Sequence, residues 1–96
     1  MRQKRFSIVK VEEWNNYHFV HREFDTEDEK CYPIKNKITL CGQLDTGSED
    51  YKDRLKVNKS CLTEKALLQY CIDLSNRKVV CAQCIGYFFS DNVDKK

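Results

Sequence analysis

Cys81-Ala82-Gln83-Cys84 is the spacing in this chain most suited to chemistry. Two cysteines separated by two residues can share one metal ion, because the turn between them aims both sulfurs the same way. The preceding "KVV" suits a short strand leading into a metal knuckle. A structural zinc site takes four tetrahedral nitrogen or sulfur ligands, so two more are required. Cys41 is the best third candidate. It follows the apolar "ITL", and Gly42 permits a tight turn with backbone N–H groups aimed at the sulfur. The fourth ligand comes from His18, His21, Cys31 or Cys61. His18 is preferred, because strand alternation in "YHFVHREF" puts it on one face with Val20 and Phe24 while His21 falls on the other.

Other cysteine chemistries fit less well. A redox dithiol of the thioredoxin type opens a helix after a strand inside a βαβ unit, and no such pattern surrounds Cys81. A disulfide scaffold requires an oxidising compartment. The stretch "MRQKRFSIVKVEEWNN" has no apolar signal-peptide core and no small-residue cleavage site, so the expected location is a reducing cytoplasm. The scattered spacing does not suggest an iron–sulfur cluster. Cys71 lies on the apolar stripe of a helix and reads as a small buried thiol. Cys31 and Cys61 read as free thiols or reserve ligands, and His21 as exposed.

The elements that must position these residues are short. "RFSIVKVEEW" and "YHFVHREF" read as two strands of a hairpin, with Asn15-Asn16 as the turn. The acidic "REFDTEDEKCYP" reads as a solvated loop ending near Pro33, and "KNKITLCG" as a third short strand. "QLDTGSEDYKDRLKVNKS" is a long polar excursion. "LTEKALLQYCIDLSN" is the clearest helix: Thr63 suits the N-cap and Glu64 the positive end of the dipole. Leu67, Tyr70, Cys71 and Leu74 form its apolar stripe, and Leu62 with Leu67 a hydrophobic staple. "RKVV" then runs as a strand into Cys81, "IGYFF" continues it, and residues 91–96 are a polar tail expected to fray.

Taken together, "YHFVHRE", "ITLCGQ" and "VVCAQC" resemble a sparse pattern of small bacterial and phage zinc-binding proteins of unassigned role. There, an early-strand His, a Cys-Gly and a later Val-x-Cys-x-x-Cys make one zinc site. The resemblance spans residues 18 to 84 and implies His18, Cys41, Cys81 and Cys84 as ligands. It further implies a role in binding host proteins, including defence machinery. This chain departs from the pattern in having a second histidine, His21, and a 39-residue stretch between Cys41 and Cys81 that holds two more cysteines.

Composition bounds the rest. Ninety-six residues, 33% charged and 41% hydrophobic, make a single α+β domain, residues 1–96, with a modest core. Its expected form is a zinc-stabilised antiparallel hairpin or sheet with one main helix. No apolar run reaches the roughly 18 residues of a membrane span, so no membrane partner is expected. His21-Arg22-Glu23 imitates the H-x-E of zinc deaminases, but no proline precedes Cys81, and no phosphate loop or nucleophile elbow is present. The chain is therefore expected not to be an enzyme and to have no small-molecule substrate. The expected function is binding or inhibition of a host macromolecule, most simply a protein. Nucleic acid is the alternative, because Arg2, Lys4, Arg5 and Lys10, then Lys52, Arg54, Lys56 and Lys59, then Arg77 and Lys78 form three basic clusters. The formal charge of +2 does not argue for it alone.

Overall fold

The computed structural model describes residues 2–33, 38–51 and 53–94. Its elements are β1 (Arg2–Val11), β2 (His18–Asp25), β3 (Lys30–Pro33), β4 (Leu55–Leu62), α1 (Glu64–Asn76) and α2 (Ala82–Asp94). The four strands form one antiparallel sheet in the order β3-β2-β1-β4. The domain is thus α+β.

The hairpin is as the alternation predicts. β1 pairs with β2 from Arg2 opposite Asp25 to Val9 opposite His18. Period-two alternation then sorts the side chains. Phe6, Ile8 and Phe19 look toward the helices, where Leu67, Leu74 and Phe88 meet them in the main core. Val9, Val11 and Val20 look the other way, onto Leu44 from the segment between β3 and β4. Because both faces of the central strand are covered, Phe6 to Val9 are all buried and the alternation in polarity disappears.

Three elements differ from the sequence reading. β3 is built from "KCYP", the end of the acidic segment, instead of from "KNKITLCG". Residues 35–37 of the latter lie outside the described residues, and Ile38 forms an isolated bridge to Asp45. β4 emerges from the second half of the polar excursion. Lys56 to Ser60 are all exposed, so no apolar alternation marks it; backbone bonds to β1 hold it, and its lysines suit an edge strand. "IGYFF" is helical, giving a second helix as long as the first where a strand was expected.

Cys31 and Cys61 are joined in a disulfide, with 5.9 Å between their Cα atoms. This corrects their reading as free thiols or reserve ligands. They sit on β3 and β4, the two edge strands, so the sheet curls until its edges meet. That proximity is a property of the curl and has no local signature. Cys61 takes a left-handed conformation (φ 56°) where the β1–β4 register shifts. The Ser7 hydroxyl accepts its N–H at 3.4 Å, and Arg5 donates to its carbonyl at 3.4 Å.

α1 begins as predicted. The Thr63 hydroxyl accepts the Ala66 N–H at 3.1 Å. It ends in a Schellman turn: Val79 N–H donates to Leu74 O and Lys78 N–H to Ser75 O, with Lys78 left-handed at φ 58°. Leu74 and Val79 join the same core, which is the hydrophobic contact that accompanies this turn. A side chain in that conformation costs about 1 kcal/mol relative to glycine. Lys78→Gly is therefore expected to stabilise the domain by about 1 kcal/mol, read as a higher denaturant midpoint at unchanged slope.

Candidate metal centre

The Schellman turn reverses the chain so that Val79 and Val80 run beside the start of β2. Tyr17 N–H donates to Val79 O at 2.7 Å, and Cys81 N–H donates to Tyr17 O at 2.8 Å. Cys81 is thereby fixed next to His18. Cys84 follows one turn into α2, and its sulfur accepts the Phe19 N–H at 3.5 Å. The other backbone group of Phe19, its carbonyl, accepts from Leu40 N–H at 2.9 Å and draws in the Cys41 turn.

That turn is held at several points. Thr39 and Leu44 bond backbone to backbone at 2.9 Å, and Gly42 N–H closes onto Thr39 O at 2.9 Å with Gly42 at φ 77°. A left-handed residue here is naturally glycine. The Thr39 hydroxyl accepts from Leu44 N–H at 3.3 Å, which leaves its proton directed at the Cys41 sulfur, also 3.3 Å away. Gln43 donates its side-chain amide to Gln83 at 2.6 Å, tying the Cys41 turn to the Cys81–Cys84 knuckle.

The four preferred ligands converge. His18 Nδ1 lies 3.4 Å from Cys41 Sγ and 3.7 Å from Cys84 Sγ. With Cys81 Sγ, all four donor atoms lie within 4.8 Å of one another. Bonds of about 2.3 Å to sulfur and about 2.0 Å to nitrogen make the edges of a tetrahedron about 3.5–3.8 Å long. The two nitrogen–sulfur separations to Cys41 and Cys84 match those edges, and the four donors together could hold a metal ion. His18 and Cys81 are 3% and 6% exposed and Cys84 is fully buried, so three donors are shielded from water, while Cys41 is half-buried.

The electrostatics differ among the donors. Burial lowers the His18 pKa, which keeps the imidazole neutral with a lone pair to give. Burial raises Cys84 well above an ordinary thiol. Burial pushes Cys41 up as well, but hydrogen bonds from the Thr39 hydroxyl and Gln43 N–H outweigh it, and its pKa is lowered. Three thiolates around a divalent cation would carry a net negative charge, and the donors from Phe19, Thr39 and Gln43 are what a buried anion of that kind requires. Trp14 packs edge-on against the His18 ring, with centroids 5.7 Å apart.

The remaining candidates are elsewhere. His21 faces the helix side of the sheet and stacks on Phe6 at 5.2 Å, half-buried instead of exposed. Glu23 pairs with Arg2 at 2.9 Å, so the H-x-E imitation does not assemble with the cluster. Cys71 is a core thiol whose pKa burial pushes up to about 11. The Cys81–Cys84 knuckle does open a helix after a strand-like bridge, contrary to expectation. A redox dithiol is instead set apart by the third sulfur and the imidazole within contact distance. Thr39 was missed by sequence reasoning; its place two residues before Cys41 is the one signal that marked it.

No helix among the described residues is long and apolar enough to cross a membrane. Comparison with protein families, with curated proteins and with solved structures returns no match for this chain.

Proposed function

We propose that the protein is a non-enzymatic binding module whose fold is clamped by one zinc ion on His18, Cys41, Cys81 and Cys84. The convergence of those four donors carries this reading. Three sulfurs and one nitrogen in tetrahedral spacing suit zinc among the common divalent ions. Four protein ligands fill a tetrahedral ion, whereas catalytic zinc keeps a position for water or substrate. The resemblance to small phage and bacterial zinc proteins extends the reading to a phage or mobile-element protein that binds or inhibits a host macromolecule, with defence machinery as one such target.

Native and denaturing mass spectrometry of the purified chain test the clamp together. The expected native mass carries one zinc, and the denatured chain is lighter by two hydrogens for the single disulfide. A metal-free native mass would overturn the zinc clamp, and a chain lighter by six hydrogens would replace it with a disulfide scaffold.

A further inference from the structure

The basic clusters are separate in sequence, and the fold brings parts of two of them together. Lys10 on β1 stands directly opposite Lys56 on β4, and Lys59 pairs with Ile8 two positions along. Three residues apart on a regular strand, Lys56 and Lys59 would point to opposite faces. The register shift between Ile8 and Val9 adds one residue to β4 and turns both lysines to the same side as Lys10. Lys52, from the same cluster, lies outside the described residues.

Like charges directly opposite on paired strands repel. No carboxylate among the described residues forms an ion pair with Lys10, Lys56 or Lys59. Two carboxylates on the adjoining segments are engaged elsewhere: Asp73, one turn from Tyr70 on α1, is held by Arg77 at 2.8 Å, and Glu13 by Arg54. Two of the lysines lie over aromatic rings instead, Lys10 over Tyr17 at 5.4 Å and Lys59 over Tyr70 at 5.6 Å. Both rings are partly exposed. Unneutralised cations flanked by partly exposed tyrosine rings are the elements that hold a single strand of nucleic acid, phosphates on the lysines and bases on the rings.

We propose that Lys10, Lys56 and Lys59, with Tyr17 and Tyr70, form a binding strip for single-stranded nucleic acid. The strip names the partner class of the binding module proposed above and does not depend on the identity of the metal. Three phosphate contacts predict a log–log salt slope of about −2 for a single strand. The test is fluorescence anisotropy of the full-length chain, as purified, with labelled oligothymidine and oligouridine, and with a duplex and an inorganic polyphosphate as competitors. Metal content is measured on the same sample.

The expected result is binding at low salt that prefers single strands over both competitors. The Lys56→Gln/Lys59→Gln variant should weaken it about tenfold and bring the slope to about −0.7. Both positions are exposed, so its melting temperature should hold. Tyr70→Leu should weaken binding while leaving the slope unchanged. Absence of binding, equal binding to polyphosphate, preference for duplex, or a double variant that folds and binds normally would each overturn the proposal. A zinc-loaded protein that fails to bind refutes the strip alone; a metal-free protein that binds refutes the clamp alone.

Discussion

Chelation of the zinc-loaded protein is expected to abolish its cooperative melting transition near room temperature and to collapse its near-ultraviolet dichroism. Structural zinc contributes an apparent ~10–16 kcal/mol in small peptides, while a whole domain is stable by about 5–15 kcal/mol. The cluster ties together three segments that are distant in sequence. His18 belongs to the hairpin, Cys41 to the Thr39–Leu44 turn, and Cys81 with Cys84 to the start of α2. Cys81 and Cys84 also lie in the main core beside Phe88, so releasing them leaves unpartnered thiols among apolar side chains. Acid should act through the same groups. The folded pKa of His18 lies below its ordinary 6.5, so its contribution is intact above that value and is lost as pH falls through the folded value. Protons also compete with the cation for the sulfurs, which adds to the loss in the same direction. Cys84→Ser should reproduce the chelated state at neutral pH. Unchanged dichroism and melting after complete metal removal would show that the clamp is dispensable.

The second large effect belongs to the bridge between the sheet edges. Closing a loop of about 30 residues removes unfolded-chain entropy worth about 3–4 kcal/mol. Replacing both partners, Cys31→Ser/Cys61→Ser, avoids leaving a lone thiol. It is expected to lower stability by about 3 kcal/mol, a fall in melting temperature of about 10–20 °C for a chain of this size. Zinc content should be unchanged, because neither sulfur belongs to the cluster. An unaltered denaturant midpoint would mean that the curled sheet holds its edges together without the bond. Loss of zinc would mean that the sheet edges and the metal centre are coupled.

What the sequence made legible was local. The hairpin follows from alternation in β1 and β2. α1 follows from Thr63 and the stripe of Leu67, Tyr70, Cys71 and Leu74, of which Leu67, Cys71 and Leu74 are buried and Tyr70 half-buried. The four converging donors were legible because a pair two residues apart and a Cys-Gly turn declare themselves without tertiary information. β4 was not, since its exposed residues give no pattern and its partner β1 is more than 40 residues away in sequence. "IGYFF" is a short apolar run that strand and helix can both use. Its helical state is decided by Cys81, Cys84 and Phe88, which must all reach the core at spacings of three and four. The disulfide was illegible because it depends on how far a sheet curls, and the reducing compartment assumed for the chain argued against it.

The division of the six cysteines has a consequence for how the chain reaches its native bonding. Six thiols admit fifteen different first bridges. Three of them lie in the cluster, where a bound cation would act as a protecting group and keep them from oxidant. Cys71 is withdrawn by burial, which leaves little of it as the reactive thiolate. Cys31 and Cys61 are what remain, and the correct bridge is reached by elimination. Metal loading would thereby set the order of maturation: a chain oxidised before it is loaded would face fifteen choices, and one loaded first a single choice.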